Sequence, residues 1–556
     1  MAKRPNVLIV MTDEERYPPP YEDDTVRAFR RAHLPARERI RGAGLEFHRH
    51  YAGSTACLPS RTTLFTGQYP SLHGAISTDG LAKPATDPDM QWLDPDTVPT
   101  IGDWFRAIGY RTHYRGKWHI SHADLVTPGT HESLRGSDRD GNVIPEGVEA
   151  YRRADRLDGF GFSGWLGREP HGADPSDMGF VRDGIYAAQV SELFDSLATE
   201  SAADPDAAPW LAVASFVNPH DIAFSGAAWQ LLGLPPIDDH VPSIPAAPSQ
   251  SDAVTDRPRA QQQWLTLWPE MLYEQPADDD YRRFYYWLHA VVDVAIGRIL
   301  DALEESGLAG NTIVVFTSDH GDLLGAHGGL QQKWYNAYDE AVRVPLIVAG
   351  PGIACREGGV EIPTSHVDLL PTLLGLVGAD VSAAAQRVAA HHVETHPLPG
   401  RDLSALFTGE ADPETVDTPI YFMTEDQISQ GSREQNLFSG TAFAPVTAPA
   451  KVEAVITRLP SGPDGAPELW KLNHYYDRLR DWETANGLTP FGDPAPAPDQ
   501  WELHNLTIDP EERDNRVDDP TLAVTLATLR VILDDQRSTK RLVPSHRNPP
   551  VARPAP

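Results

Sequence analysis

Residues 6–12 read NVLIVMT, a continuous run of apolar and β-branched residues that ends at Asp13 and Glu14. Such a run predicts a β-strand buried on both faces, because a strand with one wet face would alternate apolar and polar residues. Burial on both faces requires a layer of helices on each side of the sheet. The run therefore favours an α/β fold built on a parallel sheet.

The same pattern recurs along the chain, with a helix-like segment followed by a short apolar strand. We expect helices over 99–108, 185–199, 281–307 and 367–378. The expected strands are YRTHY (110–114), WLAVASFV (210–217), TIVVFTSD (312–319) and RVPLIVA (343–349). Strands that alternate with helices predict a large, mostly parallel sheet sandwiched by helices.

The alternation stops beyond residue 415. Short strand-like runs there, separated by Pro and Gly, predict a small antiparallel sheet: PIYFM (419–423), VEAVITRL (452–459), ELWKLN (468–473) and WELHNL (501–506). We expect a catalytic domain over 1–415 and a smaller C-terminal α+β domain over 416–535. Residues 536–556, rich in Pro and Arg, are expected to form a tail or an arm onto another subunit, which favours a homo-oligomer.

Two polar stretches rich in Pro, Gly and Asp, 121–182 and 222–280, interrupt the pattern. Loops of this length inside a compact domain are usually functional. We expect them to form lids or rims over a site and to set its substrate specificity.

Composition excludes several classes of protein. The 556 residues carry 47 Lys and Arg against 79 Asp and Glu, a formal net charge of −32, which argues against a nucleic-acid or anionic-membrane partner. Two cysteines cannot form a disulfide scaffold. The apolar run at the start is too short for a signal peptide, and no run could span a bilayer. We therefore expect a cytoplasmic protein that acts on a small molecule.

Polar residues follow four of the predicted strands. They are Asp13, Lys117 with His119, His220, and Asp319 with His320. Ligands of open α/β sheets bind at the carboxyl ends of the strands, so these residues are predicted to share one site. Lys117 and His119 are two apart, and on an extended segment both would point to the same side.

The segment Cys57-Leu58-Pro59-Ser60-Arg61, followed by TTLFTGQYP, is the sharpest motif. Pro59 suits a first helical turn, which would put Cys57 at a helix N-terminus, where backbone N–H groups favour anions. Arg61, four residues on, would return to the same face. The alternative is a buried structural cysteine with a surface arginine.

Together with these residues, the blocks NVLIVMTDEE, ACLPSRTTLFTGQYP, GYRTHYRGKWH, SFVNPHD, FTSDHGDLLGAHG, SHVDLLPTLLGLVG and WELHNLTIDPEERDNRVDDP resemble the type I sulfatases of the alkaline phosphatase superfamily. The resemblance covers nearly the whole chain and implies an alkaline-phosphatase-like fold. It also implies that a separate maturation enzyme oxidises Cys57 to Cα-formylglycine. One oxygen of the hydrated aldehyde would then bind a metal, and the other would attack sulfur or phosphorus.

The resemblance further implies one divalent metal ion. Its ligands would be Asp13, Glu14, the modified Cys57, Asp319 and His320. Glu14 stands where Asp is common in arylsulfatases, and His320 stands where Asn is common. Carboxylate ligands suit Ca²⁺, Mg²⁺ or Mn²⁺, whereas imidazole suits Mn²⁺ better than Ca²⁺, so the choice between Ca²⁺ and Mn²⁺ stays open.

By the same resemblance, the catalytic residues are Cys57, Arg61, Lys117, His119, His220 and Lys333. Lys117 and Lys333 would bind the oxyanion, and His119 would take the proton of the second hydroxyl as sulfate leaves. His220 would contact the sulfate and protonate the leaving oxygen. Cations and a metal in a closed cleft suit an ester whose leaving oxygen gains negative charge.

Three functions remain to be weighed. The first is an arylsulfatase-type hydrolase of sulfate monoesters, with promiscuous activity. The second is a phosphonate monoester or phosphodiester hydrolase that uses the same formylglycine site, which His320 and the Pro/Arg-rich tail favour. The third is a binder of sulfated ligands that never matures Cys57, which the presence of every catalytic residue type disfavours.

Overall fold

The computed structural model describes residues 4–545 except 131, 139, 171–173, 357, 417–418, 463–464 and 477–497. Its strands are β1 Asn6–Asp13, β2 Gly44–Tyr51, β3 Arg111–Gly116, β4 Trp210–Pro219, β5 Thr312–Ser318, β6 Arg343–Ala349, β7 Thr364–Ser365, β8 Ile420–Thr424, β9 Lys451–Pro460, β10 Pro467–Tyr476 and β11 Gln500–Asn505. The first seven form one sheet in the order β3-β4-β1-β5-β6-β2-β7, and the last four form a second sheet.

The helices are α1 Asp24–His33, α2 Pro35–Gly42, α3 Cys57–Thr66, α4 Pro70–His73, α5 Ile101–Ala107, α6 Pro145–Ala154, α7 Gly179–Ala203, α8 Ala227–Leu231, α9 Arg259–Met271, α10 Asp279–Glu305, α11 Ala326–Gly329, α12 Asp339–Val342, α13 Leu369–Leu376, α14 Val381–Val388, α15 Ser404–Phe407 and α16 Ala523–Lys540. Short 3₁₀ turns include His220–Phe224 directly after β4 and His366–Asp368 directly before α13. No single helix among the described residues is long and apolar enough to cross a membrane. One bent pair, His366–Leu376 with Val381–Val388, reaches the required length and composition together.

The large sheet is covered on both faces, as the run at residues 6–12 predicts. Val7, Ile9 and Met11 of β1 join one core cluster, which includes residues of α3, α5 and α13. Leu8 and Val10 join another, which includes residues of α2, α7 and α10. Successive side chains of one strand thus enter two separate cores, the geometry of a sheet between two helical layers.

The register of the central strands brings their carboxyl ends together. β1 pairs in parallel with β4 and β5, which aligns Asp13 with Pro219 and Thr12 with Ser318. β3 pairs in parallel with β4, while β6 runs antiparallel to β5 and β2. The predicted α/β class with a mostly parallel sheet is confirmed.

The C-terminal antiparallel sheet is also confirmed, in the order β11-β10-β9-β8. α16 packs on it through Leu529 and Leu533. This helix runs through the expected boundary at 535/536, so residues 536–540 continue it. Residues 546–556 of the expected tail lie outside the described residues, and the arm stays a prediction.

Three details differ from the expectations. β2 was not predicted, because its sequence GLEFHRHY mixes charged and apolar residues near one edge of the sheet. The stretch 121–182 contains α6 and the start of α7. The stretch 222–280 contains α9, which buries Trp264, Trp268 and Met271 at helical spacing inside a polar composition.

Candidate active site

The ends of β1 and β5 and the start of α3 meet at one buried point. Asp13 closes β1, and Asp319 and His320 directly follow β5. Cys57 is the first residue of α3, whose ten residues are all buried. Cys57 Sγ lies 3.1 Å from His320 Nε2 and 3.6 Å from Asp13 Oδ1. The predicted position of Cys57 at a helix N-terminus therefore places it among the strand-end residues.

Arg61 fixes the positions of the Asp13 and Asp319 carboxylates. Its guanidinium donates to Asp319 Oδ2 and Asp13 Oδ2, each at 2.8 Å, and to Lys117 O and Ser215 Oγ. The side chain is fully buried, and the two acids raise the pKa of Arg61 against the opposing effect of burial. Arg61 therefore lies on the same side of α3 as Cys57, and its donors bind the two carboxylates, a backbone carbonyl and a serine hydroxyl.

The donor atoms of four residues fit a metal ion. One atom each from Asp13, Cys57, Asp319 and His320 lies within 4.8 Å of the others, and all four side chains are buried. A second group, with the same spacing, joins Asp13 to Glu14 and His220. Carboxylate oxygens with one imidazole match the ligands of a hard divalent cation.

Glu14 stands slightly apart from the first group. Its backbone adopts a φ of 71°, and its amide donates to Asp319 Oδ1. One carboxylate oxygen accepts from Lys333 at 2.8 Å, while Oε1 is buried with no hydrogen-bond partner among the described residues. Burial raises the pKa of Glu14 well above its usual range despite Lys333. A buried carboxylate oxygen without a hydrogen-bond partner fits a metal ligand, because it has a lone pair left to bind an ion.

Two lysines lie in the site, and each pairs with a different carboxylate. Lys117 Nζ lies 2.6 Å from Asp13 Oδ2, and Lys333 Nζ donates to Glu14 Oε2 and Gln332 Oε1. Burial works against both charges, yet Asp13 raises the pKa of Lys117 and Glu14 raises that of Lys333. Burial would raise the pKa of Asp13 too, but Lys117 and Arg61 hold it well below its usual range. Both ammonium groups are therefore charged.

His119 reaches the site by a different route from the expected one. β3 ends at Gly116, and His119 has a φ of 54°, so residues 117–119 are not the extended segment that the sequence predicted. His119 Nε2 lies 2.6 Å from Asp79 Oδ1. Burial lowers the pKa of His119, but Asp79 more than compensates and raises it, with a further hydrogen bond between the His119 and Cys57 side chains.

Glu169 holds the turn that carries His119. Its carboxylate accepts from the backbone N–H groups of Trp118 and His119, at 3.1 Å for each closest contact, and Glu169 is itself buried. Sequence reasoning missed both Asp79 and Glu169. They stand in irregular segments without a motif, and only the fold brings them to residue 119.

His220 follows β4 beside Asp13, as predicted. Burial, with the nearby charge of Lys117, lowers the pKa of His220 well below its ordinary value, so the imidazole is neutral near pH 7. The neighbouring Asp221 accepts from the amides of Gly179 and Phe180, which ties the turn after β4 to the start of α7. Every sequence-predicted site residue thus lies within this one region.

Comparison with known proteins identifies the family of this chain. A family model described as Sulfatase matches residues 5–379. The sulfatase YidJ of Escherichia coli is 28% identical over 390 residues, which cover 67% of this chain and 68% of that protein.

Two solved structures share the fold. A 2-O GAG sulfatase superposes with a TM-score of 0.61 at 20% identity, covering 97% of this chain and 93% of that one. A phosphonate monoester hydrolase from Silicibacter pomeroyi superposes with a TM-score of 0.56 at 20% identity, covering 97% and 96%. The expected alkaline-phosphatase-like fold is confirmed. With its family match over residues 5–379, the chain belongs to the sulfatase family of the alkaline phosphatase superfamily.

Proposed function

We propose that this protein is an arylsulfatase-type hydrolase of sulfate monoesters whose nucleophile derives from Cys57. The observation that supports this most is the position of Cys57 Sγ, 3.1 Å from His320 Nε2 and 3.6 Å from Asp13 Oδ1. Oxidation of Cys57 to Cα-formylglycine by a separate maturation enzyme would place the two hydrate oxygens between the carboxylates and His119. One oxygen would stay on the carboxylate side and the other would attack sulfur.

The proposed cofactor is one divalent ion, Ca²⁺ or Mn²⁺. Its ligands would be Asp13, Glu14, residue 57, Asp319 and His320. When bound, such an ion makes a hydroxyl attached to residue 57 easier to deprotonate. Arg61 would keep the carboxylates of Asp13 and Asp319 at their spacing.

The remaining groups act on the ester. Lys117 and Lys333 carry positive charge in a water-poor site, where they would stabilise the negative oxygens of the transition state. His119, oriented by Asp79, would take the proton of the second hydroxyl when sulfate leaves. His220 is neutral and would donate a hydrogen bond to the leaving oxygen, which matters most for a poor leaving group.

A phosphonate monoester or phosphodiester is the second candidate substrate. The proximity of the His320 ring to Cys57 favours it, because an imidazole here takes the place of the Asn common in arylsulfatases. Both kinds of ester place negative oxygens beside the same two lysines, so activity on both is expected. The ratio of kcat/KM for 4-nitrophenyl sulfate and a phenyl phosphonate monoester would rank them.

Substitution of the cysteine tests the proposal. We expect Cys57→Ala, produced with the maturation enzyme and loaded with metal, to lose about 10⁴-fold or more in kcat on 4-nitrophenyl sulfate. The exposed cysteine supplies the matched control, and Cys355→Ala should keep the wild-type rate. In wild type the peptide that contains residue 57 should be about 18 Da lighter than its cysteine form, as the aldehyde. A fully active preparation with an unmodified thiol would contradict the proposal.

A further inference from the structure

Strand β4 carries a bulge directly before His220. Met11 of β1 pairs with Ser215 of β4, but Asp13 pairs with Pro219, so β4 has two more residues than β1 between these pairs. The extra residues of a bulge leave the ladder, and their backbone N–H groups need other acceptors. A bulge next to a site also re-aims the side chain that follows it. Here the side chain that follows is His220.

Asp183 of α7 binds the backbone of this bulge. Its two carboxylate oxygens accept from the N–H groups of Val217 at 2.7 Å and Asn218 at 3.1 Å. Asp183 is buried, at 2% exposure, so water does not compete for these amides. The bulge is therefore fixed by a side chain of a neighbouring helix as well as by the sheet.

Asp221 fixes the chain on the other side of His220. Its carboxylate accepts from the amides of Gly179 and Phe180, each at 3.0 Å, and these are the first two residues of α7. With its side-chain amide oriented so that both ends are paired, Asn218 donates to Asp221 Oδ2 at 3.1 Å. His220 thus lies between two attachments to the same helix.

The start of α7 touches the bulge directly at Gly179. A Cβ on Gly179 would lie 2.7 Å from the side-chain amide of Asn218 and 2.9 Å from its backbone nitrogen, closer than packed atoms approach. A methyl group at this position would therefore push α7 away from the bulge without removing any polar group.

The two acids have no cation as a partner in these contacts, because all four of their carboxylate oxygens are bound by backbone amides. Burial raises the pKa of Asp221 to about 6 and that of Asp183 well above the usual range of a carboxyl group. Burying an acid without a cation costs free energy. The pair is therefore a poor way to stabilise the fold, which favours a role in the geometry of the segment 217–221.

A ring nitrogen of His220 lies within 4.8 Å of a carboxylate oxygen of Asp13, so the segment places this ring in the site. We propose that Asp183, Asn218 and Asp221 are positioning residues that hold His220 at the leaving oxygen of the substrate. The inference rests on the proposed sulfatase function, in which His220 donates to that oxygen. The three side chains act on the ester only through His220.

Aryl sulfates with different leaving groups test this role. The 4-nitrophenolate leaves without a proton, whereas phenolate, a poorer leaving group, needs one. For matured, metal-loaded Asp221→Ala we expect kcat/KM on phenyl sulfate to fall about 10- to 100-fold, the effect of a misplaced catalytic group. On 4-nitrophenyl sulfate the fall should be less than about threefold. Equal losses on the two esters would assign Asp221 a structural role only and overturn the proposal.

Gly179→Ala is a second variant that changes no polar group. It should lower the ratio of kcat/KM on phenyl sulfate to that on 4-nitrophenyl sulfate about 3- to 10-fold, because it displaces the bulge. If Asp221→Ala does not fold, this variant carries the test. Folded Gly179→Ala with the wild-type ratio would overturn the proposal.

A double variant shows whether Asp221 acts through His220. His220→Ala should lower the same ratio by itself, and the addition of Asp221→Ala should leave it within about twofold of that value. A further fall in the double variant, as large as that of Asp221→Ala alone, would show that Asp221 acts independently of His220 and would contradict the inference.

Asp293→Ala is the matched control. Asp293 is also buried and accepts from two amides at the start of a helix, those of Ala36 and Arg37 in α2. Its loss should leave the ratio within about twofold of wild type, even where the melting temperature falls. The two proposals fail differently. Wild-type enzyme that releases no sulfate from either ester contradicts the sulfatase function and this inference with it, whereas hydrolysis of both esters with unchanged ratios in the variants contradicts the positioning role alone.

Discussion

Two buried ionic clusters lie at the two ends of the short segment 333–339, and they use their ammonium groups differently. The site cluster consists of Asp13, Glu14, Lys117 and Lys333. The interface cluster, between the large sheet and the C-terminal sheet, consists of Asp339, Lys471 and Glu512. Three oxygens surround Lys471 Nζ within 2.9 Å, from Asp339, Glu512 and the Ala337 carbonyl. An ammonium has three donors, so Lys471 has none to spare.

In the site cluster, the two ammonium groups have more N–H donors than nearby acceptor oxygens. Among the described residues, Lys117 Nζ has one oxygen at 2.6 Å, from Asp13, and Lys333 Nζ has two, from Glu14 at 2.8 Å and Gln332 at 3.1 Å. Glu14 Oε1 has no hydrogen-bond partner among the described residues, and neither has Glu512 Oε1 in the interface cluster. Burial and charge alone therefore do not separate a binding site from a structural ion pair. The spare donors of the ammonium groups do, because they remain for a ligand.

The interface cluster should carry the largest stability effect. We expect Lys471→Met to lower the free energy of unfolding by about 3–5 kcal/mol, because it removes the cation beside buried Glu512 and leaves Asp339 only its longer pair with Arg343. Urea unfolding measures the change. The matched control is Arg513→Met, which removes a partly exposed pair with Asp252 that also links the C-terminal part to the rest, and should cost about 0–1 kcal/mol.

If the comparison holds, folded Lys471→Met keeps its kcat on 4-nitrophenyl sulfate. A loss of activity per folded molecule as large as that of a site variant would show that the interface cluster is part of the catalytic machinery.

The site cluster should show the opposite balance. We expect Lys117→Met to lower kcat/KM on 4-nitrophenyl sulfate about 10²- to 10³-fold, about 3–4 kcal/mol of transition-state stabilisation. The free energy of unfolding should change by less than in Lys471→Met, because Arg61 still pairs with Asp13. Steady-state kinetics and urea unfolding on the same preparation check both. A loss below tenfold would remove Lys117 from the oxyanion site.

Much of the fold could be predicted from the sequence, because apolar runs report directly on buried strands. Residues 6–12 specified a strand between two cores, and the four C-terminal runs each became a strand. The missed elements carry a weaker signal. β2 has polar residues near an edge of the sheet, and α9 buries its Trp side chains inside a stretch whose average composition is polar.

The site residues that directly follow strands could be predicted from the sequence. Those that lie in irregular loops and reach the site by long-range packing were missed. Asp13, His220, Asp319 and His320 are placed by the register of parallel strands, which a sequence pattern can reveal. Asp79 contacts the His119 ring and Glu169 contacts its backbone N–H, both from irregular loops. Their positions depend on long-range packing that no local spacing encodes.

His504 tests whether a buried polar group without a hydrogen-bond partner marks a functional site by itself. Its substitution should have the smallest effect of the three on the free energy of unfolding or activation. It lies opposite Lys471 in the β10–β11 register, is fully buried, and neither ring nitrogen has a partner among the described residues. Burial lowers the pKa of His504 to about 4. The unfolded chain binds a proton below about pH 6.5 and the folded protein does not until about pH 4, so stability is lost as pH falls through this range.

Between pH 7 and pH 5 this residue should account for about 2 kcal/mol of the fall in unfolding free energy. His504→Phe should remove that share, and His391→Phe, at an exposed histidine, should leave the fall unchanged. Urea unfolding of wild type and both variants at pH 7 and pH 5 measures how much each substitution changes the fall in unfolding free energy. An unpaired polar group outside the site cluster would then only make the stability of the fold sensitive to acid. If His504→Phe instead leaves the pH dependence intact and lowers kcat/KM, an unpaired polar group marks function even beside the interface cluster.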